Sequence, residues 1–113
     1  MITVYHNPRC SKSRAALKHL ESANLEFRLV KYLDEVPTIE ELNELLSFLK
    51  MEPEELIRKN EAIYKESFKG KQLSRQEWIA AMHENPKLIE RPIVVNGNKA
   101  VVARPTEKIA EVL

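Results

Sequence analysis

Hydrophobic residues recur along this chain with two periods, and the changes of period mark its elements. Ile2 and Val4 alternate with polar neighbours from Ile2 to Tyr5, the period of a half-buried strand. From about Ser11 to Ala23 the pattern turns helical, with Ala16, Leu17 and Leu20 on one face. A second strand is expected from about Glu26 to Tyr32, carrying Phe27, Leu29 and Val30. Thr38 with Glu41 three residues later forms a capping box that opens the next helix. Ile39, Leu42, Leu45, Leu46 and Leu49 then make an apolar stripe at helical spacing. Pro53 starts a short helix holding Leu56 and Ile57. Ser74 with Glu77 is a second capping box, followed by Trp78, Ile79 and Met82 on one face. These stripes are read as core. Asn85-Pro86 ends that helix. Ile93-Val94-Val95 and Ala100-Val101-Val102 flank Asn96-Gly97, a strong hairpin signal, because these turn residues tolerate positive φ. Gly70 marks a surface loop, and a terminal helix is expected near Pro105 to Leu113 with Ile109, Val112 and Leu113.

The order is therefore β-α-β, a helical insert at about 38–85, then β-β-α. A strand-helix-strand unit implies parallel strands joined by a right-handed crossover, and the hairpin adds an antiparallel pair. One small mixed four-stranded sheet with helices on its faces accounts for every element. This α/β arrangement resembles the thioredoxin-like fold, whose reactive thiol sits where Cys10 does. With 113 residues the chain has the size of one domain, residues 1–113.

Composition narrows the function classes. The apolar fraction is 43% and the charged fraction 31%, as in a globular domain with a wet surface. A net charge of +1 implies no general attraction to nucleic acid or an anionic membrane. A single cysteine excludes an internal disulfide and a multi-cysteine zinc site, and His6, His19 and His83 lack metal-ligand spacing. Met1 to Tyr5 has no basic leader region, and no stretch approaches the roughly 18 apolar residues of a membrane span. A cytoplasmic, reducing location fits a free thiol.

Cys10 carries the sharpest chemical signal. It lies between the first strand and the first helix, in His6-Asn7-Pro8-Arg9-Cys10-Ser11-Lys12-Ser13-Arg14. Unpaired amides and the positive end of the dipole favour an anion at a helix start. Such surroundings lower a thiol's pKa from about 8.5 toward or below neutrality. Arg9, Lys12, Arg14 and Lys18 add positive charge, with no acidic residue among the first twenty. Asn7 and Pro8 mark a turn that exposes the thiol. The plainer reading, an inert small hydrophobe, stays open on these residues alone.

Three arginines stand at turns: Arg58 after Leu56-Ile57, Arg91 before Pro92 and Arg104 before Pro105. Planar guanidinium donors suit tetrahedral oxyanions, though surface arginines are usually only solvated. Four blocks, the Cys10 loop, Leu56-Ile57-Arg58-Lys59-Asn60, Glu90-Arg91-Pro92-Ile93-Val94-Val95 and Ala103-Arg104-Pro105-Thr106-Glu107, resemble the glutaredoxin-coupled arsenate reductase (ArsC) family. The loop is most similar to that of the short ArsC-related oxidoreductases. The resemblance implies that Cys10 is the nucleophile, with His6 and Ser13 holding its thiolate. It further implies that Arg58, Arg91 and Arg104 bind the oxyanion, and that the Arg91-Pro92 peptide is cis. The implied activity is reduction of arsenate to arsenite through a Cys10 adduct. No cofactor would be bound. Glutathione would be the co-substrate and glutaredoxin the protein partner, because a chain with one thiol cannot resolve its own adduct. No membrane or direct nucleic-acid partner is expected.

The loop also departs from the well-known arsenate reductases, which look like Asn-Pro-Ala-Cys-Gly-Thr-Ser. Arg9, Ser11 and Lys12 add two positive charges and remove a glycine beside the thiol. This leaves open a glutathione-dependent thiol oxidoreductase with another substrate. The RNA polymerase-binding regulator Spx is similar overall. The Cys-x-x-Cys switch of many of its members is absent here, since Ser13 stands three residues after Cys10. A redox-inert thioredoxin-like binding domain is the third reading.

Overall fold

A computed structural model describes residues 1–113. Two compact units divide the chain: Met1–Glu35 together with Arg91–Leu113, and Val36–Glu90. The first holds the expected mixed α/β, thioredoxin-like arrangement. Its strands are β1 (Ile2–His6), β2 (Phe27–Lys31), β3 (Ile93–Asn96) and β4 (Lys99–Val102), in the order β2-β1-β3-β4. β1 runs parallel to β2 and antiparallel to β3, which is antiparallel to β4.

Alternation along β1 buries Ile2, Val4 and His6 and leaves Thr3 and Tyr5 half-buried. Ile2 and Val4 join Val94 from β3, Ala16 and Leu20 from α1 (Ser11–Ser22), and Ile109 and Val112 in one core cluster. Val4, Leu20, Val94 and Ile109 are fully buried. Each such aliphatic side chain contributes about 1.5–3 kcal/mol relative to exposure. The same alternation that buries Val4 puts His6 on the helix-facing side at the strand's end.

The hairpin turn lies one residue later than Asn96-Gly97 suggests. Asn96 pairs with Lys99, so Gly97 and Asn98 are the central residues. Gly97 has φ 65° and Asn98 is not left-handed, the pattern of a two-residue loop with glycine first. The C-terminal segment is a 3-10 helix, Thr106–Val112, in place of the regular helix expected there. Ile109 and Val112, three residues apart, share a face in that tighter geometry. Leu113, placed in the apolar set by the sequence, is 56% exposed.

The second unit is helical: α2 (Ile39–Leu49), α3 (Ala62–Ser67) and α4 (Arg75–Glu84), with 3-10 turns at Pro53–Leu56 and Pro86–Leu88. Both capping boxes are present. Glu41 N–H donates to Thr38 Oγ1 at 3.1 Å, and Glu77 N–H donates to Ser74 Oγ at 3.2 Å. Leu42, Leu45, Leu46, Trp78, Ile79 and Met82 are buried as expected. Ile39 is 44% exposed, because it is the first residue of α2 and the stripe turns inward only from Leu42. Ile57 leaves the short helix and pairs as an extended residue with Ile89. α3 has no counterpart in the sequence reading. It buries no residue fully and has no side-chain cap, so it carries no apolar stripe to find. Its support is aromatic: Tyr64 stacks on Trp78 at 6.5 Å and Phe68 tilts against it at 5.9 Å. No helix is long and apolar enough to cross a membrane.

Candidate active site

Cys10 is the N-cap of α1, the extended residue immediately before the first helical turn. Its carbonyl accepts the Arg14 N–H at 3.0 Å, the first bond of the helix. That first turn has no acidic residue to compete for the free amides. Upstream, the Cys10 N–H donates to the Asn7 carbonyl at 3.0 Å, closing a turn through Pro8 and Arg9. The thiol is free and half-buried.

Burial alone pushes the Cys10 thiol up. It is outweighed by the Ser13 amide, the Arg91 side chain and the Lys12 amide acting as donors, and by the Arg91 charge, so the thiol lies below its ordinary value. Strict capping geometry is not met at the sulfur. A large, diffuse sulfur anion is nonetheless favoured by two amides at a helix start. Arg91 is the cation that acts on the thiol, whereas the sequence suggested its neighbours in the loop. Arg9 and Lys12 are exposed, and Arg14 Nη1 donates instead to the Pro8 carbonyl at 2.9 Å.

Topology explains how Arg91 arrives. β3 is antiparallel to β1, so its start lies beside the end of β1, where the thiol loop begins. β4 is antiparallel to β3, so its end returns to the same place, with Val102 opposite Ile93. Arg91 and Arg104 flank those two strand ends, and Arg104 Nη1 donates to the Arg91 carbonyl at 3.4 Å. The Arg91-Pro92 peptide is cis, as the resemblance implied. Arg104-Pro105 is cis as well, which nothing in the sequence suggested. Arg91 Nε is buried without a hydrogen-bond partner. A buried unpaired donor on the arginine that acts on the thiol is a ready site for an anionic oxygen.

His6 and Ser13 meet each other. Ser13 Oγ lies 2.7 Å from His6 Nδ1 and accepts the Asn7 N–H at 3.0 Å. It is the Ser13 amide, not the hydroxyl, that acts on the sulfur. Burial, then Lys31 and Arg14, hold His6 below its ordinary value, against a hydrogen bond with the Ser13 backbone that raises it. That shift favours the neutral ring. A neutral ring can accept the Ser13 hydroxyl proton at Nδ1 while that oxygen accepts from Asn7.

Arg58 belongs to the helical unit. There it faces two carboxylates, Glu61 Oε2 at 3.4 Å from Nη1 and Glu90 Oε1 at 3.4 Å from Nε. Its backbone N–H donates to Leu88 at 2.7 Å. A cavity of about 310 Å³ borders the thiol loop, lined by His6, Asn7, Pro8, Arg9, Lys31, Leu33 and Asp34. No group of three or more His, Cys, Asp or Glu side chains comes together to hold a metal ion. The residue that sequence reasoning passed over is Asn7, seen there only as a turn marker. Its position before proline was the one available signal.

The ArsC family model matches residues 5–112. The chain is 43% identical to the uncharacterised protein YfgD of Escherichia coli K12, over 99% of this chain and 96% of that one. It is 40% identical to an arsenate reductase of Neisseria meningitidis, over 99% and 97% of the two chains. The solved structure of an arsenate reductase from Vibrio cholerae superposes with a TM-score of 0.95 at 45% identity, covering 99% of this chain and 97% of that one.

Proposed function

This chain belongs to the ArsC family, and from that premise we propose that it is an arsenate reductase working through the Cys10 thiolate with glutathione and glutaredoxin. The observation that carries the reading is Cys10 as the extended residue at the start of α1, beside the strand end that Arg91 precedes, with Arg91 among the groups that hold its thiol below the ordinary value. A thiolate and an arsenate oxyanion repel each other, and a guanidinium beside both offsets that repulsion as the bond forms.

The thiolate attacks arsenic(V), forming an S–As bond, and an oxygen leaves as hydroxide that takes up a proton. Glutathione displaces a second oxygen as water. A glutaredoxin thiolate then attacks the glutathione sulfur. The S–As electron pair passes to arsenic, giving arsenic(III) on Cys10 and a glutathione–glutaredoxin disulfide. Water releases arsenite and the free thiol. Arg91 and Arg104 are assigned to the oxyanion, and the His6–Ser13 pair to holding the thiolate's surroundings. Arg58 is assigned to the oxyanion on its sequence block alone. A cytoplasmic location supplies the reducing conditions that this cycle needs.

Arsenite formation with glutathione and glutaredoxin tests the reading. It should require both reductants and vanish in Cys10→Ser. Equal arsenite from that variant refutes it. Arg9 and Lys12, exposed beside the thiol, favour a second reading in which another anion is the substrate. A Cys10–glutathione disulfide formed by exchange with oxidised glutathione, which releases one glutathione thiol, in the absence of arsenate turnover would select that reading.

A further inference from the structure

Thr38 and Ser74 hold the starts of their own helices with side-chain bonds, and Cys10 does not. Something upstream must set where the sulfur rests. Asn7 is 8% exposed and makes hydrogen bonds through its backbone N–H, its backbone carbonyl and its side-chain Oδ1. Its N–H donates to Ser13 Oγ, its carbonyl accepts the Cys10 N–H, and its side-chain Oδ1 accepts the Arg9 N–H, each at 3.0 Å. The carbonyl bond makes Asn7 the first residue of a four-residue turn with Pro8 second, the positions both residues favour. The Oδ1 bond adds a side-chain turn inside it. Arg14, reaching back from α1 to the Pro8 carbonyl, fastens the outside of the same turn.

We propose that Asn7 is a positioning residue for the Cys10 nucleophile. Its side-chain acceptor locks the Asn7–Cys10 turn so that the sulfur meets the Lys12 and Ser13 amides and the Arg91 side chain. The proposal rests on the reading of Cys10 as a reactive thiol. Oδ1 is the one bond of the three that a substitution removes while the backbone bonds stay available. Alanine deletes that acceptor and leaves in place the titratable and charged side chains of the loop and strand ends, His6, Arg9, Lys12, Arg14 and Arg91. Serine restores a weaker acceptor, because its hydroxyl bonds the amide two residues on less well than asparagine does.

The test is iodoacetamide alkylation of Cys10 across pH in wild type, N7A, N7S and I109V, with melting curves alongside. Ile109 lies in the core cluster of the same unit, which includes no residue of the turn, so I109V reports what lost stability alone does. N7A should move the alkylation midpoint upward and slow the reaction several-fold at a pH below the wild-type midpoint, where the rate follows the thiolate fraction. N7S should lie between N7A and wild type, and I109V should match wild type. A wild-type midpoint in N7A, or an equal shift in I109V, overturns the proposal. If N7A does not fold, N7S decides: an upward shift supports the proposal and a wild-type profile overturns it. A wild-type thiol titrating as a free cysteine removes the underlying reading, and the proposal with it. A low wild-type midpoint that N7A leaves in place removes the proposal alone.

Discussion

His6 Nδ1 and Ser13 Oγ lie 2.7 Å apart, both buried, one at the end of β1 and the other in the first turn of α1. With the Asn7 N–H on the same oxygen, they tie strand to helix across the thiol loop. Ser13→Ala strands a buried amide and a ring nitrogen, which costs about 1–3 kcal/mol. Urea unfolding should show a lower midpoint at unchanged slope. An unchanged midpoint would contradict the role given to this oxygen.

Stability should also respond to His6. Burial, Lys31 and Arg14 hold its folded pKa below the ordinary 6.5, against the opposing Ser13 bond. Below about pH 6.5 the unfolded chain takes up a proton that the folded chain refuses. The His6 contribution is therefore complete above that pH and is lost as pH falls through the folded value. Melts at pH 7.5 and 5.5 should separate more for wild type than for His6→Gln. Equal separation would show that the ring titrates alike in both states.

Much of this architecture is legible in the residues. Thr38 with Glu41 and Ser74 with Glu77 signal helix starts through side-chain chemistry that depends on local spacing alone. The alternation at Ile2 and Val4 signals β1 for the same reason. α3 is silent because Tyr64 and Phe68 gain their support from Trp78, a contact distant in sequence. At the site, the helix start marks Cys10, but charge counting points to Arg9, Lys12 and Arg14. Strand pairing, which no local pattern reveals, brings Arg91 to the thiol instead. Resemblance named Arg91 where spacing could not.

That arginine yields the sharpest contrast between variants. Arg91→Ala removes a donor and a charge that both lower the Cys10 pKa. Alkylation at pH 7 should slow several-fold and its pH midpoint should rise. Arg91→Lys, which keeps the charge but loses the planar fork, should fall between. Identical profiles for all three proteins would remove Arg91 from the site.

Lys50 ends α2 in the left-handed region, φ 57°, where glycine carries no Cβ penalty. Its N–H bonds the Leu46 and Ser47 carbonyls, so the conformation is held. Lys50→Gly should stabilise the protein by about 0.5–1 kcal/mol, the strain removed being partly offset by unfolded-chain entropy. A thermal melt several degrees higher agrees with this, and a lower one contradicts it.

Every chemical step above begins from an anionic Cys10 near neutral pH. Titrating thiolate absorbance near 240 nm in wild type, with Cys10→Ser as the blank, measures that state directly. The expected midpoint lies clearly below the roughly 8.5 of a free cysteine. A midpoint at or above that value would contradict the account, since neither the helix start nor Arg91 would then be holding a nucleophile.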